Sequence, residues 1–472
     1  MGGAFAAFAA FVSWASRAAR RPRGARIGRV LAAKAVVSSS AVSLTAVSLS
    51  VVSLIAALAG DAAAQVRGTI VGPGSTSYPI AVSPLKGDER DGGRFADIVA
   101  RDLDLAGLFK VIDRGAYIEN AQSSGVTSDT INFDNWKTIG ALALVKGTLE
   151  RSGEGVVIEA RLFDVVERKQ IAGKRYRLEE GNVRRVAHRF ADEIMLALTG
   201  ERGPFDSRIA FASRREGRFK EIWAMSLDGG DLQQVTHERM ITLSPNWSPD
   251  SRSFLFTSYR TGNPSLFSID LGGGTPRLVS SQRGLNLGGR YSPAGKAIAV
   301  ALESGGQTDI ALIDPSGQFL HWVTRDRALD VSPSWSPDGR SLVFCSDRGG
   351  GPQIYTTSAD GGPARRVSYQ GNYNTSPAWS PKGDRIAYSA RIGRRFQVFV
   401  VDVKGGDAKQ ITDTGGDNED PTWSPDGRYL VFSSTREGRA ALYMSDVSGA
   451  HQKRLTPSGG DDSTPSWSRW LE

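Results

Sequence analysis

The chain has 472 residues, of which 40% are hydrophobic and 23% are charged, which is enough for more than one globular domain. A single cysteine, Cys345, excludes an internal disulfide and is interpreted as a small packed side chain. Seven basic residues and one Asp within residues 1–64 contribute +6 of the net charge of +8, so the rest carries about +2. With so little basic charge left, nucleic-acid binding has no support.

Residues 1–64 have the pattern of a secretory signal peptide. Basic residues crowd the first 34 positions, a Ser-rich apolar run covers 35–59, and Ala62 to Ala64 form a small-residue exit. We predict cleavage between Ala64 and Gln65 and export to the periplasm. An uncleaved membrane anchor is the alternative, because the apolar run is long enough to span a bilayer.

Residues 65–78 form a Gly-, Ser- and Thr-rich segment with a short apolar stretch at Ile70 and Val71. Such a free N-terminal peptide is either disordered or adds to the sheet edge of another domain. We predict a flexible, partner-binding peptide, with a tail left over from processing as the alternative.

Residues 79–203 predict a small α/β domain. Apolar segments at 79–84, 109–112, 141–147, 155–162 and 170–178 read as strands. Helical periodicity covers 94–108 and 182–198, and Gly200 is a natural stop for the second helix. A helical turn is expected at 135–139.

From residue 204 onward an aromatic-Ser motif recurs with a spacing of 44 residues. The six aromatic residues are Trp247, Tyr291, Trp335, Trp379, Trp423 and Trp467. A period of about 40–50 residues with four short extended segments per unit predicts a β-propeller, here with six blades over 204–472. The orphan Trp467 segment is predicted to pair with residues 209–211 and to close the ring, which removes free sheet edges.

Motifs for catalysis are missing from this sequence: it has neither a nucleophile elbow nor a phosphate-binding loop. The four histidines are widely separated and are interpreted as surface or capping residues. Turns after each aromatic-Ser-Pro are uniform, whereas the loops before each aromatic residue differ from unit to unit. Since those six loops would surround one mouth of the channel, their variation favours a binding face.

No cofactor is predicted, although the acidic groups at 417–420 and 461–462 offer oxygen ligands for a hard cation in the channel. A solvated loop is the simpler explanation of such runs.

The order of these parts resembles the TolB family of the Tol-Pal system, over all of 65–472. The resemblance includes the segments Pro79–Lys86, Phe109–Asp113, Ala191–Gly200 and Arg208–Phe211, together with the Trp-Ser-Pro-Asp-Gly units. It implies a non-enzymatic periplasmic scaffold that supports outer-membrane integrity and invagination at division. Its expected partners are the peptidoglycan-associated lipoprotein Pal, TolA and other outer-membrane lipoproteins, with membrane association through partners alone.

The resemblance also implies two partner-binding sites. Contacts with Pal are expected at the propeller mouth, from Thr242, Leu243, Leu285, Asn286, Gly288, Asp330, Val331, Asn374, Asn418, Glu419 and Asp462. Contacts with TolA are expected from the N-terminal peptide, through Val66, Arg67, Thr69, Ile70 and Val71. Leu285 departs from the family pattern, in which a polar residue such as His can occur. The alternatives are a sugar- or metal-binding propeller and a propeller-containing peptidase.

Overall fold

A computed structural model describes residues 77–153, 155–178, 182–282 and 284–471. These residues form a small N-terminal α/β domain followed by a six-bladed β-propeller, as the sequence predicts. The predicted signal peptide and nearly all of the N-terminal peptide lie outside the described residues. In the described part of the chain, no helix combines the length and apolar character needed to cross a membrane.

The N-terminal domain is a mixed sheet with two long helices on one face. Its strands are β1 (Tyr78–Val82), β2 (Lys86–Gly87), β3 (Phe109–Val111), β4 (Ala143–Ser152), β5 (Gly155–Asp164) and β6 (Lys169–Leu178), in the order β3-β1-β4-β5-β6 with β2 beside β4. Its helices are α1 (Glu89–Ala106), α2 (Phe133–Thr138) and α3 (Val183–Thr199), and Arg114–Ala116 form a 3₁₀ turn. Tyr78 therefore belongs to the folded domain rather than to the N-terminal peptide.

Helix α1 begins five residues before the predicted start. The Asp88 side chain accepts a hydrogen bond from the backbone N–H of Asp91 and caps the helix. Glycines lower helical propensity, but a Cβ on Gly92 would lie 2.4 Å from the carbonyl oxygen of Leu85, so close packing requires glycine there. The helix ends at Gly107, which has a left-handed φ of 70°.

Each blade of the propeller is a four-stranded antiparallel sheet. Blade 1 contains β30 (Ser463–Trp467), β7 (Arg208–Ser213), β8 (Glu221–Ser226) and β9 (Gln233–Gln234). Blade 2 contains β10 (Thr242–Trp247), β11 (Ser253–Ser258), β12 (Ser265–Asp270) and β13 (Arg277–Ser280). Blade 3 contains β14 (Asn286–Tyr291), β15 (Ile298–Ser304), β16 (Gln307–Ile313) and β17 (Phe319–Trp322).

The remaining three blades repeat this arrangement. Blade 4 contains β18 (Asp330–Trp335), β19 (Ser341–Ser346), β20 (Gln353–Ser358) and β21 (Arg365–Arg366). Blade 5 contains β22 (Asn374–Trp379), β23 (Arg385–Ile392), β24 (Arg395–Asp402) and β25 (Lys409–Gln410). Blade 6 contains β26 (Asn418–Trp423), β27 (Tyr429–Ser434), β28 (Ala441–Asp446) and β29 (Gln452–Arg454).

The C-terminal strand closes the ring as predicted. Trp467 pairs with Ile209 and Ser466 with Ala210, so β30 is the inner strand of a blade whose other strands come from residues 208–234. The indole of Trp467 also donates a 2.8 Å hydrogen bond to the Ser207 hydroxyl. The two ends of the propeller sequence are thus joined by backbone pairing within blade 1.

The N-terminal domain packs on blades 1 and 6, at the end of the propeller where the Ser-Pro turns lie. Helices α1 and α3 share one hydrophobic core with Phe205, Tyr429 and Met444. Polar contacts cross the same boundary, such as that from the Tyr429 hydroxyl to the carbonyl oxygen of Ala106 at 3.3 Å. This arrangement leaves the opposite end, formed by the loops before each aromatic residue, free of the N-terminal domain.

Candidate functional site: the propeller mouth and channel

A central cavity of about 360 Å³ runs between the inner strands of the six blades. Its lining includes residues near the start of each inner strand and the Ser-Pro turns that follow each aromatic residue. The cavity is therefore a channel, whose mouth is surrounded by the variable loops. This mouth is the concave surface of the described fold that lies farthest from the N-terminal domain.

A regular backbone distortion shapes the channel. Five inner strands shift register after their second residue, and β30, which begins one position later in the repeat, shifts after its first. The residue that follows adopts a left-handed conformation in all six strands, with φ between 48° and 65°. The six residues are Ser244, Gly288, Ser332, Ser376, Asp420 and Thr464, all of which line the cavity. Non-glycine residues seldom adopt this conformation, so five such positions in a ring mark a conserved geometric requirement of the repeat unit.

The sequence itself carries a signal for this ring. A proline follows the left-handed residue in five of the six units and a glycine follows it in the other, and the aromatic residue comes three positions after the left-handed one. Proline restricts the conformation of the residue before it, so Ser-Pro, Asp-Pro and Thr-Pro at this spacing point to a special backbone geometry.

Apolar side chains concentrate on one side of the mouth. Leu243, Leu287, Leu329, Val331 and Tyr373 line the cavity and come from blades 2 to 5 or the segments between them. Leu287, which is half-buried, offers apolar surface that a partner would cover. Leu243, Leu329, Val331 and Tyr373 are between 4% and 9% exposed, so Leu287 is the partly exposed member of this set. Apolar surface in a concave site is typical of a docking surface.

Six of the predicted mouth residues have buried side chains that hold the blades together. They occupy equivalent positions at the start of the inner strands, namely Thr242, Asn286, Asp330, Asn374, Asn418 and Asp462, and each is 0% exposed. Asn374, for example, donates to Gln353 Oε1 at 2.7 Å, and Asp462 accepts from Ser213 Oγ and Arg215 Nη2, both at 2.6 Å. These side chains therefore hold the loops in place, because they are fully buried and cannot contact a partner.

The other predicted mouth residues are nearer the channel surface. Leu243, Gly288 and Val331 line the cavity, whereas Leu285 and Glu419 are half-buried beside it. In blade 4, for example, the second and third residues of the inner strand, Val331 and Ser332, line the cavity, whereas the first, Asp330, does not.

One carboxylate and one guanidinium face the channel from opposite blades. Asp420 accepts a 2.7 Å hydrogen bond from the Ser376 hydroxyl. Burial raises the pKa of Asp420. Burial also lowers the pKa of Arg290, and the negative charge of Asp420 partly offsets that lowering. Next to it, burial and then the charges of Asp420 and Asp417 raise the pKa of Glu419 to about 8. Burial thus disfavours the charged forms of Asp420, Glu419 and Arg290.

The described channel lining offers neither a reactive cysteine nor a histidine. Cys345 lies in the lining, but burial raises the pKa of its thiol to about 12, which leaves it protonated and unreactive at neutral pH. No histidine lines the channel in the part of the chain that the structure describes. His188, contrary to our interpretation of the histidines as surface or capping residues, is buried between the two domains beside Asp102.

The acidic groups considered as cation ligands are engaged in other contacts. Asp417 accepts a hydrogen bond from the backbone N–H of Phe396 at 3.0 Å, and Asp461 pairs with Arg214 at 3.0 Å. Together with Asp462, which is bound by Ser213 and Arg215, they serve loop structure. The described residues instead bring the carboxylates of Asp309, Asp326 and Asp330 together, at the junction of blades 3 and 4.

Two family comparisons match successive parts of this chain. The sequence model of the TolB amino-terminal domain matches residues 67–171, and that of the TolB β-propeller domain matches residues 196–471. The crystal structure of TolB from Acinetobacter baumannii superposes with a TM-score of 0.75 and 26% identity, covering 84% of this chain and 97% of that one.

Curated relatives give the same family. A Tol-Pal system protein TolB from Syntrophotalea carbinolica is 37% identical over 41% of this chain and 46% of its own length. The protein of the same name from Desulfosudis oleivorans is 41% identical over 36% of this chain and 39% of its own length. The chain thus matches less than half the length of these relatives, and their activities and partners are not transferred by the match alone.

Proposed function

Because the chain belongs to the TolB family, we propose that it is a non-enzymatic periplasmic scaffold of the Tol-Pal system. It binds Pal through the propeller mouth and TolA through the N-terminal peptide, and so supports outer-membrane integrity and invagination at cell division. The observation that carries this proposal is the mouth itself, a concave surface lined by apolar side chains, of which Leu287 is half-buried.

The geometry favours a protein ligand over a small substrate. The apolar residues lie at the rim and upper wall, where a side chain or loop of a folded partner would enter, and the wall deeper in the channel is built from backbone turns. Protein interfaces gain most of their affinity from a few apolar anchors placed in such pockets. A peptidase would additionally need a nucleophile and a base in mutual contact.

Two separate binding sites follow from the domain arrangement. The first described strand, β1, begins at Tyr78 in the N-terminal domain, which packs at the end of the propeller opposite the mouth. A peptide that precedes β1 therefore starts far from the mouth, and Pal and TolA would not compete for one surface. Signal cleavage between Ala64 and Gln65 would supply the free peptide that TolA requires.

A pull-down tests the proposal. The exported chain is immobilised and exposed to detergent-solubilised envelope extract, and bound proteins are identified by mass spectrometry. We expect a peptidoglycan-associated lipoprotein and TolA. A second chain that lacks residues 65–76, which leaves β1 intact, should retain the lipoprotein and lose TolA. Recovery of neither partner by the intact chain, or TolA binding that survives the deletion, contradicts the corresponding part of the proposal.

A further inference from the structure

Blade junctions in this propeller are held by a repeated pair of polar side chains. At the junction of blades 4 and 5, Asn374 Nδ2 donates to Gln353 Oε1 at 2.7 Å. At the junction of blades 5 and 6, Asn418 Nδ2 donates to Gln397 Oε1 at 3.0 Å. Each residue lies 44 positions after its equivalent, so the same amide pair recurs at two successive junctions.

At the junction of blades 3 and 4 both amides are replaced by carboxylates. Asp309 stands at the position of Gln353, and Asp330 stands at the position of Asn374. Asp309 is 4% exposed and Asp330 is 0% exposed. Two buried carboxylates therefore meet where the neighbouring junctions have a donor and an acceptor, and the amide hydrogen bond has no equivalent.

The orientation of Asp330 follows from its arginine partner. Asp330 Oδ2 accepts from Arg348 Nη2 at 2.8 Å, just as Asn418 Oδ1 accepts from the equivalent Arg436 Nη2 at 2.9 Å. The other atom of Asn418, Nδ2, faces Gln397, so Asp330 Oδ1 must face Asp309. Asp330 Oδ1 is buried and accepts no hydrogen bond within the described structure. A buried oxygen without a donor, aimed at a second carboxylate, requires a positive charge or a proton between them.

A third carboxylate completes the cluster. One oxygen from each of Asp309, Asp326 and Asp330 lies within 4.8 Å of the others. Arg348 pairs with Asp326 at 3.0 Å as well as with Asp330. With all three carboxylates ionised, the three aspartates and Arg348 carry a net charge of −2.

We propose that Asp309, Asp326 and Asp330 bind one calcium ion at the junction of blades 3 and 4. All three ligands are hard oxygen donors, which suit calcium and magnesium. Calcium–oxygen distances of about 2.3–2.6 Å allow ligand oxygens up to about 5 Å apart, whereas magnesium at about 2.0–2.1 Å allows roughly 4 Å. Separations of up to 4.8 Å lie within the span that calcium accommodates. Three protein carboxylates also suit calcium better than magnesium, which usually keeps several waters and takes only one or two carboxylates. Asp326 is exposed, so the ion has an entry path and room for water ligands on that side.

The proposed ion lies next to the propeller mouth. Asp326 and Asp330 bracket the end of the segment between β17 and β18, which also contains Leu329. Leu329 and Val331 line the cavity, so an ion that fixes both aspartates also fixes these two apolar residues. Calcium would thereby hold one part of the docking surface in place. This inference concerns the metal site and is independent of the identity of the partner.

Thermal unfolding of the purified exported chain tests the proposal. Calcium chloride at about 5 mM exceeds the dissociation constants of ~10⁻⁴–10⁻³ M that are typical of extracellular calcium modules. Relative to excess chelator, we expect calcium to raise Tm by about 5 °C, and magnesium to raise it less. The double variant Asp309→Gln/Asp330→Asn, which restores the amide pair of the neighbouring junctions, should fold and lose the calcium response. The matched control Asp360→Asn, in a turn of blade 4, should retain it.

Titration calorimetry gives a second measurement that does not depend on the folding of the double variant. The chain should bind about one calcium ion at this site, and Asp326→Asn, a change at an exposed position, should weaken binding at least about tenfold. A chain without a calcium response, or a response that persists in the double variant, overturns the proposal. If the chelated chain instead gains stability as the pH falls through about 6 and ignores calcium, a shared proton occupies the junction and the proposal fails.

Discussion

The indole Nε1 of Trp247, on the inner strand of blade 2, donates a 3.0 Å hydrogen bond to the carbonyl oxygen of Ser466 on the closing strand of blade 1. The same contact joins Trp335 to Arg290 and Trp423 to Ala378, each at 3.0 Å. The repeated tryptophan thus packs within its own blade and fastens that blade to the preceding one. At these three positions the indole N–H gives tryptophan a role that a purely apolar side chain cannot take.

Substitution of Trp247 by Phe should therefore destabilise the propeller beyond the loss of packing. Phenylalanine keeps an aromatic ring but leaves the Ser466 carbonyl without its donor, which costs about 1–3 kcal/mol when the group is buried. Chemical denaturation measures the free energy of unfolding. Trp379→Phe is the matched control, because the Trp379 indole donates within its own unit, to Gly383 O at 3.3 Å. Equal losses in the two variants would contradict a role in joining blades.

Removal of residues 463–472 should open the ring. The deletion removes β30 and exposes the edge of β7, which is otherwise fully paired on that side. We expect the cooperative thermal transition to disappear and the chain to aggregate. Calorimetry measures the transition, and size-exclusion chromatography measures aggregation. A chain shortened by residues 471–472 keeps β30 and should remain monomeric. A monomeric, cooperatively folding chain without 463–472 would show that closure by β30 is dispensable.

The sequence was sufficient for the blade number and for closure, because both follow from a strict period and an unpaired last unit. Individual mouth residues were less predictable. Asn286 and Asn418 resemble exposed loop residues in the sequence, yet their amides are fully buried in contacts with residues on neighbouring segments. Such burial depends on contacts between units, which no local pattern records. The role of His188 was missed for the same reason, since Asp102 lies 86 residues away.

The boundary between the domains contains a pH-sensitive contact. His188 Nδ1 lies 2.7 Å from Asp102 Oδ2, and its Nε2 lies 3.7 Å from Asp228 of blade 1, which Arg184 also binds. Burial alone would lower the pKa of His188, but Asp102 and then Asp228 outweigh it, so the pKa is raised. A raised histidine pKa stabilises the fold fully below the unfolded value of about 6.5, and this contribution is lost as the pH rises through the folded value.

Asp102→Asn should remove this pH dependence. Without the carboxylate, burial becomes the dominant influence on His188, and its pKa falls. The free energy of unfolding of the wild-type chain should decline as the pH rises above about 6.5, by at most about 1.4 kcal/mol per pH unit. The variant should lack that decline. Nuclear magnetic resonance titration of the His188 ring checks the pKa directly. The control Asp104→Asn, on the same helix, alters an ion pair with Lys453 and should keep the wild-type profile. Parallel profiles for all three chains would refute the assignment.

The last prediction concerns the docking surface. Leu287 lines the mouth and is half-buried, so a partner that fills the mouth would cover it, whereas Leu320, on the outer strand of the same blade, is 46% exposed and far from the channel. Leu287→Gln should weaken capture of Pal by roughly tenfold or more, because loss of a central apolar anchor costs about 1–2 kcal/mol or more.

Surface plasmon resonance with purified Pal measures this effect. Leu320→Gln makes the same chemical change on the same blade and should leave the affinity within about twofold of the unmodified chain. Thermal unfolding of both variants separates a loss of contact from a loss of fold. TolA capture should be unchanged in each, since the N-terminal peptide precedes β1 at the other end of the propeller. Equal weakening by the two leucine variants would place the Pal contact outside the mouth.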